Sequence, residues 1–201
     1  LRRYSIDVAA LRLLNHGFNT TFRVATTDGR RFALRLNVNS RRTDSFIGAE
    51  MAWLAALAEE TDLWVPIPQR TLDGALLTHV RSLDLGRDLP AALFSWLPGR
   101  DLGDDASDVQ MRAVGRATAA LHAHGEGWRP PPGTSLPPID TVLMDLPYQL
   151  GHDHPLLSTA DHQLIDEAFE RVQRQYDALF AGDDRQPLHA DLHVWNLKWH
   201  R

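Results

Sequence analysis

HADLHVWN, residues 189–196, puts two histidines, an aspartate and an asparagine into eight positions close to the last residue, Arg201. So polar a run after a long amphipathic segment serves chemistry or capping rather than a core. Its fixed elements are His189, Asp191, Leu192 and Asn196, in the spacing H-x-D-L-x-x-x-N. An Asp in a short irregular loop can take the proton of an attacking hydroxyl, and an Asn five positions later can turn back onto a metal ion. Two other readings use the same residues. Asp191 and Asn196 could cap turns, or His189, Asp191 and His193 could project to one side of a strand as metal ligands of a hydrolase. The second of these needs further ligands, and His152 and His154 are the clustered ones on offer.

Composition narrows the classes. The 201 residues are 43% hydrophobic and 23% charged, which is ordinary for a globular chain able to bury a core. A net charge of -5 argues against nucleic acid or an anionic membrane as main partner, since little would neutralise a phosphate backbone. Disulfides, thiolate metal sites and cysteine nucleophiles are excluded, because there is no cysteine; a reducing cytoplasm is the expected location. No apolar run reaches the roughly 18 residues of a membrane span. Of the 21 basic residues only Lys198 is lysine, so an arginine can stand where another chain would use lysine.

Working back from the loop, the first third reads as strands over 11–15, 20–26 and 31–37, the last two joined at Asp28-Gly29, a strong hairpin signal. Residues 16–20 form a tight glycine-containing connection. A helix is predicted over 44–60, then a second hairpin turning at Asp73-Gly74, then an apolar strand over 91–99 stopped by Pro98-Gly99. Helices over 106–124 and 161–180 carry wide apolar faces and read as core helices, separated by the proline-rich loop 129–138. His122 and His124 read as a helix end, with no chemistry assigned. Strands first and helices later predict an α+β protein of two lobes, residues 1–97 and 98–201.

One pair stands out in the first lobe. Glu50 falls on the apolar stripe of its helix, where a lone carboxylate is costly. Arg35, facing opposite to Leu34 and Leu36 on its strand, is the expected cationic partner.

Taken together, LNHGFNTTFRV, RRFALRLN, the Glu50 helix, LFSWLPGR, GRATAALHAHG and LHADLHVWNL resemble the aminoglycoside phosphotransferase and choline kinase-like family, a branch of the protein-kinase-like fold, over nearly the whole chain. The resemblance implies an antiparallel-sheet nucleotide-binding lobe and a mostly helical second lobe. It implies ATP (or GTP) with Mg as cofactors and a small-molecule hydroxyl as acceptor. Asp191 is then the catalytic base, His189 supports the loop and Asn196 ligates the metal. Gly17, Phe18, Asn19 and Thr20 cover the phosphates, Arg35 paired with Glu50 grips them, and the hinge at Phe94, Ser95 and Leu97 holds the base, through main-chain groups of Ser95 and Leu97. The family pattern also asks for a metal-binding Asp soon after the loop, which residues 197–201 do not supply, so the chain is expected to be an inactive fragment. A non-catalytic nucleotide-binding protein of the same fold is the other reading.

Overall fold

The structure, a computed structural model, describes residues 1–40, 42–143, 150, 154–182 and 185–200. Two compact units make up the chain: Leu1–Leu136 with Gln186–Arg201, and Pro137–Arg185.

The first unit is built on a five-stranded antiparallel sheet in the order β1 (Val8–His16), β2 (Thr20–Thr26), β3 (Arg31–Leu36), β5 (Arg87–Ser95), β4 (Thr78–Ser82). The β2–β3 turn sits at Asp28-Gly29, where Gly29 has φ +84° and the Thr26 hydroxyl donates to Asp28 at 2.5 Å. This hydroxyl, with the Arg30 backbone N–H and guanidinium, holds the Asp28 carboxyl down to about 2.

The second hairpin differs from the reading of the sequence. The Asp73-Gly74 segment closes only a local turn, with Thr71 N–H donating to the Ala75 carbonyl; the hairpin itself joins β4 to β5 through 83–86, with Gly86 at φ +62°. A strong turn dipeptide marks a reversal but does not say whether paired strands flank it.

Sheet alternation decides what each face holds. Val24, Phe32 and Leu93 pack on one side with Tyr4. Ala33, Ala92 and Phe94 turn to the other side, against Ile47 and Met51 of helix α1 (Asp44–Glu60). Thr43 caps α1 by accepting from the Phe46 N–H at 3.3 Å. Further along, Trp53 and Leu57 of α1 meet Leu121 of α2 (Asp108–Gly127). A bridge reinforces that contact: Trp53 Nε1 donates to Nδ1 of His124, whose Nε2 lies 3.2 Å from Glu60. His124 therefore ties α2 to α1, a role that its helix-end position did not disclose. The proline-rich loop lies along α1, where Thr134 approaches Gly48 and Ser135 bonds Ser45 at 3.0 Å.

The second unit contains α3 (Thr159–Leu179), opened by a capping box between Ser158 and Asp161. Gln173 of α3 donates to the Asp140 carbonyl at 3.0 Å, and Arg185 pairs with Asp140 at 2.6 Å. The expectation of a core helix does not hold here. Among described residues its only buried member is His162, while Leu164, Val172 and Leu179 are exposed. Likewise α2 is buried mainly toward its carboxyl end, with Val109 and Met111 exposed. Periodicity reports an apolar face but not what covers it.

Candidate active site

On β3, Arg35 lies opposite Thr21 of β2 and Ala92 of β5, so its side chain rises from the α1 face of the sheet. There it meets Glu50 in a two-bond fork, Nη1 to Oε1 at 2.7 Å and Nη2 to Oε2 at 3.1 Å. Both are mostly buried, at 19% and 25% side-chain exposure, so the pair is screened far less than a surface one. The guanidinium also lies over the Phe94 ring, 5.1 Å from its centre, and Arg35 Nε is buried without a partner. A second arginine, Arg42, reaches Glu50 at 3.4 Å from just ahead of α1. Sequence reading missed Arg42, because its approach depends on the path taken into the Thr43 cap.

The 189–196 loop is folded by its own polar groups. Asn196 Nδ2 donates to the Asp191 backbone carbonyl at 2.9 Å and to its carboxylate at 3.0 Å. His193 Nδ1 accepts from the Trp195 N–H at 3.3 Å, capping a 3-10 turn at Val194–Asn196. Ala190 is the one non-glycine among described residues in the left-handed region, at φ 59°, so the backbone just before Asp191 is strained.

His189 Nδ1 accepts weakly from the Asp191 N–H at 3.4 Å, which requires the neutral ring. Although His189 keeps solvent-accessible surface, loss of water around its ring holds its pKa below the usual histidine value; the Asp191 and Glu50 carboxylates oppose this, and His193 and Arg42 add to it. That Glu50 and Arg42 act on His189 at all puts the loop within electrostatic reach of the ion pair.

Leu192 explains how the loop is held there. It packs against the Trp53, Leu57 and Leu121 cluster, so the helix that carries Glu50 also seats the loop that carries Asp191. At the loop's exit, β7 (Lys198–Trp199) pairs antiparallel with β6 (Arg100–Asp101), and Lys198 bonds Asp101. Gly99, at φ +111°, allows this approach, since a Cβ there would lie 2.5 Å from the Trp199 carbonyl oxygen. At the entrance, a Cβ on Gly125 of α2 would lie 2.8 Å from the Pro187 carbonyl oxygen. Ala normally stabilises a helix over Gly by about 1 kcal/mol. Gly125→Ala is expected to reverse that sign and lower stability by about 1–2 kcal/mol through overpacking, measured by urea unfolding.

The Gly17–Asn19 turn links β1 and β2, with Thr20 opening β2. Phe18 is 81% exposed at its tip, His16 Nδ1 bonds the Thr20 hydroxyl at 2.7 Å, and Asn19 Oδ1 is buried without a partner. At the other end of the sheet, the Ser95 N–H donates to the Ile67 carbonyl at 2.8 Å and its hydroxyl accepts from the Ile67 N–H. The Ser95 N–H is thereby taken and is not open to a ligand. Phe94 is core-packed and supports Arg35.

Whether the loop suits a metal can be judged from its donors. With Nδ2 turned to Asp191, the Asn196 amide presents its oxygen outward, and the Asp191 carboxylate adjoins it. These are hard oxygen donors of the kind magnesium takes, which draws its remaining ligands from phosphates and water. Among the described residues no three His, Asp or Glu side chains are grouped to hold a metal, so the hydrolase reading lacks its ligand set there; His152 lies outside the described residues. Nor is any described helix long and apolar enough to cross a membrane.

Residues 10–201 match the phosphotransferase enzyme family (APH). No curated protein gives a significant match. Among solved structures, a microcompartment-associated aminopropanol kinase is similar at 25% identity and TM-score 0.64, covering 98% of this chain and 61% of its own. An amicoumacin kinase in complex with AMP-PNP, Ca2+ and Ami is similar at 17% identity and TM-score 0.73, covering 98% of this chain and 57% of its own. The chain thus spans about three-fifths of the length of each, and shares with them an α+β, protein-kinase-like fold. With the match extending over nearly its whole length, the chain belongs to the phosphotransferase enzyme family.

Proposed function

We propose that this chain provides the nucleotide-binding and catalytic-loop part of an ATP- or GTP-dependent phosphotransferase that moves the γ-phosphoryl group to a hydroxyl of a small molecule. One observation carries the reading: the Asn196 amide is locked on the Asp191 carboxylate in a loop that Leu192 fastens to the same helix presenting Glu50 to Arg35. Family membership and a fold neighbour solved with AMP-PNP and Ca2+ support it.

In this reading Asp191 orients the acceptor hydroxyl and takes its proton, which the exposed position of its carboxylate permits. His189, neutral, accepts from the Asp191 backbone and keeps the strained turn in place. Asn196 would hold magnesium through its amide oxygen, and the metal when bound neutralises phosphate charge. Arg35 grips phosphate oxygens with its orientation set by Glu50 and Phe94. The Gly17–Thr20 turn covers the phosphates, and Phe94, Ser95 and Leu97 frame the base at a hinge between lobes 1–97 and 98–201.

The test is a melting experiment with Mg–ATP and Mg–GTP. A nucleotide at 100 times its dissociation constant stabilises the folded state by about 2.7 kcal/mol, which raises Tm by roughly 5–10 °C for a chain of this size. EDTA should remove most of the rise. Unchanged melting with both nucleotides would overturn the proposal.

A further inference from the structure

Between β3 and α1 runs a short strap whose side chains act on the Gly17–Asn19 turn. Its start is fixed on β5: Asn37, 2% exposed, bonds the Pro90 carbonyl through its N–H at 2.9 Å and its Nδ2 at 3.3 Å, and Arg87 donates to the Val38 carbonyl. The strap ends at Arg42 on Glu50. Midway, Asn39 donates twice into the turn, its N–H to the Phe18 carbonyl at 3.0 Å and its Nδ2 to the Gly17 carbonyl at 2.7 Å.

Peptide planarity converts these two bonds into an orientation. Every peptide here is trans, so each carbonyl points opposite to the N–H that follows it. With the Gly17 and Phe18 carbonyls both held toward Asn39, the N–H groups of Phe18 and Asn19 both point away from it. Neither has a backbone partner among the described residues, whereas the Gly17 N–H is occupied by the Asn19 carbonyl. Two successive free N–H groups facing one way form a concavity for an anion. Gly17 needs such a lock, because without a Cβ the peptide that follows it can rotate at little cost.

We propose that Asn39 is a positioning residue for the nucleotide phosphates: it acts on no substrate atom but aims the Phe18 and Asn19 amides at them. This rests on the phosphotransferase reading above. Asn39 is exposed and its side chain packs into no core cluster among the described residues, so its replacement is expected to leave the fold intact.

The experiment compares ATP with adenosine, which lacks phosphates, by calorimetric titration of the parent chain and Asn39→Ala. The expected result is ATP binding about tenfold weaker in the variant, the effect of one lost hydrogen bond to the turn, with adenosine affinity unchanged. Asn39→Asp, which keeps the size but replaces the donor with an acceptor, should lose at least as much for ATP, and it carries the test should the alanine variant fail to fold. ATP affinity within twofold of the parent in both variants would overturn the role of Asn39 alone, as would equal losses for ATP and adenosine. A parent chain that binds neither ligand overturns the phosphotransferase reading, and the inference with it.

Discussion

Asp191→Asn is expected to lower the rate of phosphoryl transfer by about 10²–10⁴-fold, the range for loss of a general base, while nucleotide affinity changes by no more than about threefold. The separation follows from geometry. The Asp191 carboxylate is 73% exposed, so it is open to an acceptor hydroxyl, and the side chains it meets include the Asn196 amide and His193. An asparagine at 191 keeps an oxygen to accept from Asn196 and keeps the backbone carbonyl on which that amide also rests. The loop therefore stays folded and stability changes by less than about 0.5 kcal/mol, but the proposed proton acceptor is gone. Measured turnover near that of the parent would remove Asp191 from the mechanism.

A second large effect is expected at the ion pair. Glu50→Ala leaves the Arg35 guanidinium mostly buried and without its carboxylate, and Arg42, which meets the same carboxylate, carries the same charge as Arg35 and cannot compensate. Breaking a buried pair from one side costs about 3–5 kcal/mol, and the remaining exposure of both groups reduces this to about 2–3 kcal/mol. Replacing both partners removes the orphaned charge. The double variant R35M/E50L should therefore return to within about 1 kcal/mol of the parent stability, since apolar side chains fit against Phe94, Ile47 and Met51. It should not regain phosphate binding, because the cation is missing. Denaturant unfolding of the two variants distinguishes a pair retained for stability from one retained for function: only the latter gives a stable double variant that binds no nucleotide.

The parts of this site that sequence made legible are those set by local rules. Glu50 on an apolar stripe and Arg35 opposite two leucines each violated a burial expectation, and the two violations cancelled in one fork. The Asp28-Gly29 turn followed from turn chemistry and the helix over 44–60 from its apolar stripe. Contacts set by tertiary approach were not legible. Asn39 and Arg42 look like ordinary polar residues between a strand and a helix until the strap folds across the Gly17 turn and Glu50. His124 read as a helix end because nothing local announced Trp53 and Glu60 on α1. The 83–86 hairpin was passed over for Asp73-Gly74 because leucines at 83 and 85 carry no turn signal, and Gly86 alone supplies the left-handed residue.

The relation between the two halves of the site is physical rather than a matter of motif. Helix α1 presents Glu50 to the sheet through one turn and Trp53 and Leu57 to Leu192 through the next two, so the charge that orients Arg35 and the packing that seats Asp191 travel on one rigid element. Disturbing α1 should affect phosphate binding and catalysis together.

Melting of the parent and of R35M/E50L, each with and without saturating Mg–ATP, tests that account most directly. The parent should gain roughly 5–10 °C with Mg–ATP, while the double variant, melting near the parent in the absence of ligand, should gain less than about 2 °C. Equal gains in the two proteins would show that Arg35 does not hold the phosphates and would contradict the account.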